Sequence, residues 1–160
     1  MVYGGCVPAH RPARIGFLLS QLGAHAAARF DDGVSSLGLT PQQAGVLRIL
    51  GRSPGVSQRD LAERLGIVQS RMVALIDGLE SLGLVARSRS ATDRRSYRLE
   101  LTDAGRDRLA DVRRIAERTE AGLTAALTAK QRDDLYGSLR MLATSLGLDE
   151  DVHIGFRADG

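Results

Sequence analysis

Near residue 84 the spacing of apolar residues changes from three and four to two, and just past residue 101 it changes back. A helical stripe recurs about every 3.6 residues and a half-buried strand every second residue, so this chain must join helices to a single β-hairpin. Before the change, Ile15, Leu18, Leu22, Ala26, Phe30, Val34 and Leu37 mark one long amphipathic helix that ends near Gly38. Thr40, Pro41 and Gln43 form the next start signal: a capping hydroxyl, a ring suited to the first helical position and a capping-box partner. Ala44, Leu47 and Leu50 give this second helix its inward stripe, and Gly51 stops it. After the turn Ser53-Pro54-Gly55, a short third helix is expected over 57–65, with Leu61 and Leu65 inward. Gly66 breaks it, and a fourth helix over about 68–82 buries Met72, Leu75, Ile76 and Leu79.

Residues 84–88 and 97–101 then read as two strands, the second alternating cleanly. The polar stretch 89–96 between them has nothing to bury and is the hairpin loop. Thr102 and Asp103 cap a long fifth helix with Leu109, Val112, Ala116, Thr119, Leu123 and Ala126 inward. A sixth opens at Thr128 with Gln131 as its box partner and carries Leu135, Leu139, Leu142 and Leu146. Residues 1–12, with Gly4, Gly5, Pro8 and Pro12, are expected to form a loose arm, and 148–160 an irregular tail. The order is α-α-α-α-β-β-α-α: a mainly helical chain built on the winged helix-turn-helix plan. It divides into an arm and first helix (1–39), a winged helix-turn-helix (40–102) and a closing helical part (103–160). The outer helices are too long and too apolar on one face for so small a body. A second copy of the chain is the simplest partner for them, so a homodimer is expected.

Composition narrows the function classes. Aromatics are 4% of the chain and Trp is absent, so the 43% of residues that are hydrophobic must build a core from Leu, Val, Ile and Ala. The net charge of +3 is modest, but its placement is uneven. Between Thr40 and Thr102 ten arginines stand against six acids, and from Arg87 to Arg98 five stand against Asp93 alone. A basic focus on a near-neutral body is the footprint of a nucleic-acid binder. The single cysteine, Cys6, has no internal partner and no neighbour that would lower its pKa, so it reads as inert. His25 is read as an interface or core residue; His10 and His153 sit in the terminal segments. No apolar run approaches the length of a membrane span, and the N-terminus lacks a signal-peptide core, which points to the cytoplasm. No HExxH, GxSxG, phosphate loop or dinucleotide motif occurs. An enzyme is therefore the weakest class, and neither a cofactor nor a metal is expected.

The segment 57–80 carries the function. A helix-turn-helix needs a helix, a short turn containing Gly and a second helix across the first, whose N-terminal residues enter the major groove. Leu61, Ala62, Leu65, Gly66, Ile67 and the stripe from Met72 to Leu79 supply the lock between the two. The pattern alone is common; followed directly by a basic hairpin, it becomes specific. With that hairpin, 15–146 resembles the MarR family of bacterial transcription regulators. The resemblance rests on Asp93-Arg94-Arg95, on Leu101-Thr102-Asp103-Ala104-Gly105, on Leu61 to Gly66 and on Asp77-Gly78-Leu79-Glu80.

The resemblance implies an obligate dimer through the outer helices and insertion of Arg95 into the minor groove, positioned by Asp93. The alternative for Arg95 is a surface pair with Asp93. Arg94 suits a phosphate. In the recognition helix Val68 stands where such relatives place a capping Ser or Thr, while Ala74 and Gly78 replace longer polar residues; helical spacing puts Ser70, Arg71, Ala74 and Gly78 on the side opposite the inward stripe. Base reading then falls on Gln69, Ser70 and Arg71, with Ala74 left to touch a thymine methyl. Gln69 and Ser70 could equally be plain capping or solvated residues. Ser57 and Arg59 at the start of the third helix complete the DNA-facing set. Many such regulators release DNA on binding a small aromatic ligand, in a pocket that here would be walled by 22–30, 44–50 and 109–116. The competing reading is a winged helix that docks proteins; five arginines in and beside the wing argue against it.

Overall fold

The computed structural model describes residues 14–89 and 97–149. Among them the elements run α1 (Ile15–Ser35), α2 (Pro41–Arg52), β1 (Val56–Ser57), α3 (Gln58–Leu65), α4 (Gln69–Ser81), β2 (Val85–Arg89), β3 (Tyr97–Leu101), α5 (Asp103–Leu123) and α6 (Ala129–Ser145). The expected order holds with one addition. Val56 and Ser57 form a short strand that pairs antiparallel with β3, Val56 opposite Leu99 and Ser57 opposite Arg98. The sheet therefore has the order β1-β3-β2 instead of being a lone hairpin. Two residues are too few to show a period, so this strand leaves no signature in the sequence.

Helix starts follow the local chemistry. Thr40 and Thr128 each complete a capping box, with Gln43 and Gln131 respectively. Thr102 Oγ1 accepts from the Gly105 N–H at 2.9 Å. The C-terminus of α3 closes on Gly66 in the left-handed region (φ 66°), whose N–H reaches the carbonyls of Ala62 and Glu63. A side chain there would be strained, so the turn between α3 and α4 depends on glycine.

The core lies between α2, α3, α4, the sheet and the first half of α5. Leu47, Leu50, Leu61, Leu65, Met72, Ile76, Leu79 and Leu99 are fully buried within it. On α5 the buried stripe is Leu109, Val112 and Ile115. Ile115 was not among the residues expected inward, and the helix ends at Leu123, short of Ala126. On α1 only Val34 is buried, and α6 has no buried residue. Ile15, Leu18, Leu22, Leu135, Leu139, Leu142 and Leu146 all stay exposed in the single chain.

Candidate nucleic-acid interface

The helix-turn-helix is held from beneath and open above. Ser57 caps α3, its Oγ accepting from the Asp60 N–H at 3.0 Å. The Ile67 N–H donates back to the Ala62 carbonyl at 3.1 Å, which fixes the turn. Met72, Ile76 and Leu79 anchor the inner face of α4, with Leu75 half-buried beside them. On the outer face Gln69, Ser70 and Ala74 are exposed. Val68 is the N-cap residue and offers no side-chain bond, so the first turn of α4 presents backbone donors rather than a closed cap. A helix start of this kind suits a phosphate oxygen.

The wing is joined to that helix through one residue. Arg87 on β2 is mostly buried, its side chain 19% exposed, and its Nη1 lies 2.6 Å from Asp77 Oδ1 and 2.8 Å from Glu80 Oε2. Its Nε donates to Gln58 Oε1 at 3.2 Å, and its backbone N–H to Glu80 Oε1 at 3.3 Å. Farther along the sheet, Arg98 donates to the Gly55 carbonyl at 3.3 Å. Where β3 passes into α5, Thr102 Oγ1 donates to the Gly83 carbonyl at 2.7 Å, and its N–H to Leu84 O at 3.1 Å. A Cβ on Gly105 would collide with that same Leu84 carbonyl.

On the opposite side of α2 a cleft of about 840 Å³ opens between α1, α2 and α5. Gly23, Ala26, Ala27, Gly45 and Ala116 leave it wide, and Phe30, Leu109 and Leu123 line it with apolar surface. Arg48 and Arg113 are its cations, Asp31 and Glu120 its acids. Burial holds the Arg48 guanidinium below its ordinary pKa, with Arg52 and Arg64 adding to the effect and Asp149 opposing it.

The MarR family model matches residues 37–96, which span α2 to the hairpin. A regulatory protein of Thauera aromatica named for an hcr operon is 35% identical over 105 residues, 66% of this chain and 63% of that protein. The chain thus spans a little under two thirds of that relative. The HTH-type transcriptional repressor Rv2887 of Mycobacterium tuberculosis is 32% identical over 132 residues, 82% of this chain and 95% of that protein. The chain belongs to the MarR family. Solved MarR-family structures agree in fold. The transcriptional repressor CouR, bound to a 23-mer DNA duplex, superposes with a TM-score of 0.70 at 39% identity, covering 81% of this chain and 92% of CouR. Rv2887 in complex with salicylic acid gives 0.65 at 32% identity, covering 81% and 96%.

Within this MarR-family frame the residues picked out from the sequence fall into three groups. Gln69, Ser70 and Ala74 share the open face of α4. Ser57 is half-buried and occupied as a cap, and Arg59 is exposed but paired with Glu63 at 2.9 Å, which raises its pKa. Arg71 is half-buried rather than fully outward. Asp93, Arg94 and Arg95 lie outside the described residues. Two expectations are corrected. Gly78 was placed on the outer face of α4, yet a Cβ there would come 2.9 Å from Gln43 Nε2, so the position faces α2. Arg87 was counted with the basic focus, but Asp77 and Glu80 neutralise it inside the chain. The period-two alternation of β2, which puts Arg87 on the same face as buried Val85, was the available signal. His25 is exposed in the single chain, which removes the core reading for it.

Proposed function

We propose that this chain is a sequence-specific DNA-binding transcription regulator that acts as a homodimeric repressor on a pseudo-palindromic operator. The observation that carries the reading is the asymmetry of α4: one face is locked by Met72, Ile76 and Leu79, while Gln69, Ser70 and Ala74 stand open at an uncapped helix start. A recognition helix requires such a face to meet base edges in the major groove. Gln69, Ser70 and Arg71 read bases, Ala74 meets a thymine methyl, and Ser57 and Arg59 meet the backbone. Asp93 orients Arg95 into the minor groove, where a weakly hydrated cation is favoured, and Arg94 contacts a phosphate. The DNA-bound state of the similar repressor CouR supports DNA binding as the activity.

The exposed leucines of α1 and α6 pair two copies, so the contacts repeat in half-sites about 10 base pairs apart. No described helix is long and apolar enough to cross a membrane. The protein works in the cytoplasm, where promoter DNA is, and by regulation rather than catalysis. The cleft takes a small aromatic acid as effector: its walls are apolar, Arg48 is the half-buried one of its two cations, and the relative Rv2887 has been solved with salicylic acid. Footprinting of the purified protein on the DNA upstream of its own gene tests the reading. A protected, two-fold-related stretch is expected; uniform weak protection that follows no sequence overturns it.

A further inference from the structure

We propose that Val73 is a specificity-determining residue: together with Ala74 it reads the 5-methyl groups of thymines in the major groove. The inference rests on the DNA-binding reading above and supplies the chemistry of the operator which that reading requires. Ser70 and Ala74 stand one turn apart on α4 with Val73 beside them, all three exposed and turned away from the buried Met72, Ile76 and Leu79. Val73 is 37% exposed, whereas Met72 next to it is fully buried, so the valine is not taken up by the core. It does not serve the helix either. A branched side chain loses χ1 freedom against the preceding turn and is a poorer helix former than Ala, Leu or a long polar residue. An apolar, branched residue thus occupies an open position of α4 where neither folding nor contact with water favours it.

The major groove gives it a partner. The one apolar group that base edges present there is the thymine methyl. Val73 and Ala74 have no side-chain donor or acceptor. A cytosine or adenine amino group pressed against them would lose water without gaining a hydrogen bond. Attraction to thymine and rejection of the other bases therefore come from the same two side chains. The contact is made in advance of binding, because valine in a helix holds one strongly preferred rotamer and little freedom is lost when DNA arrives. A protein is not the occupant: two small side chains fall far short of the roughly 800 Å² per partner that a stable protein interface buries.

The test measures affinity over a salt series for wild type, Val73→Ser and Val73→Ser/Ala74→Ser. Each protein meets a duplex covering the promoter upstream of its own gene and a scrambled duplex of equal length and composition. Both duplexes are made with thymine and again with uracil in its place, which keeps the pairing and removes only the methyl. Burying one methyl changes affinity roughly four-fold and the two half-sites repeat it, so wild type should bind the uracil promoter about 10-fold more weakly. In Val73→Ser the thymine-to-uracil ratio should fall to about 3, and in the double variant to about 1. Salt slopes should match wild type throughout, since no charge changes. Helix content by circular dichroism should also match, because both positions are exposed. Equal wild-type affinity for the two forms of the promoter overturns the proposal. An equal loss on uracil in wild type and the double variant overturns it too, since that marks altered DNA shape rather than a lost methyl contact. If wild type binds promoter and scrambled duplexes alike, the sequence-specific reading falls, while the uracil comparison still decides the methyl contact.

Discussion

Gly105 and Thr102 show how much of this fold turns on single atoms. Thr102 Oγ1 accepts from the Gly105 N–H and donates to the Gly83 carbonyl, stitching the start of α5 to the end of the helix-turn-helix. The stitch brings Gly105 against the Leu84 carbonyl, leaving no room for a Cβ. Backbone cannot rotate away as a side chain can, so Gly105→Ala should cost on the order of 3 kcal/mol. Chemical denaturation checks this: the midpoint should fall with the m-value unchanged. The wing arginines make a separate prediction at the same scale. Arg95→Ala should weaken promoter binding by about 1–3 kcal/mol, the worth of one groove contact. Arg94→Ala should instead lower the slope of log affinity against log salt by about 1, with little change in sequence preference. A salt series on both variants separates the two roles; if Arg95→Ala binds like wild type throughout, the wing assignment fails.

At the scale of elements, α6 is the informative case. Its capping box starts it without help from the rest of the chain, yet none of its residues is buried. Leu135, Leu139 and Leu142 are 42%, 39% and 47% exposed, and Leu146 is 73% exposed. An apolar stripe of this length left in water is unfavourable, and the first half of α1 presents another. Sedimentation at micromolar concentration should therefore report about twice the 17.2 kDa chain mass. Leu135→Glu/Leu139→Glu should shift the protein toward monomer while the core of α2 to α5 stays folded by circular dichroism. A wild-type protein that sediments as a monomer would falsify the pairing.

Across the whole molecule, α2 connects the two activities proposed for the chain. Its Gln42, Gly45 and Arg48 border the cleft, whereas Gln43 faces Gly78 on the recognition helix. A ligand that displaces α2 thus acts on α4 through a direct contact. Arg48 is the cation suited to a carboxylate, because burial already disfavours its charged form and an anion would offset that cost. Arg48→Met keeps the apolar stem without the charge. By calorimetry it should bind salicylate about 10-fold more weakly or worse, with promoter affinity in the absence of salicylate near that of wild type. Equal salicylate affinity in the two proteins would remove Arg48 from the site.

Features legible in the sequence were those written over short distances. Capping boxes span three residues, the break at Gly66 one, and the strand Tyr97–Leu101 five, and all stand where their local chemistry puts them. The motif from Leu101 to Gly105 identified the family from the sequence, and the structure supplies its physical cause in the Leu84 carbonyl. What only the tertiary structure decided depends on residues far apart in the chain. Val56 becomes a strand because Leu99 lies opposite it. Gly78 faces inward because Gln43 approaches it. Arg87, one of five arginines in a basic run, leaves the DNA-facing charge because the fold brings Asp77, Glu80 and Gln58 to it. Composition counts a charge wherever it sits; only packing determines whether water, DNA or another side chain neutralises it.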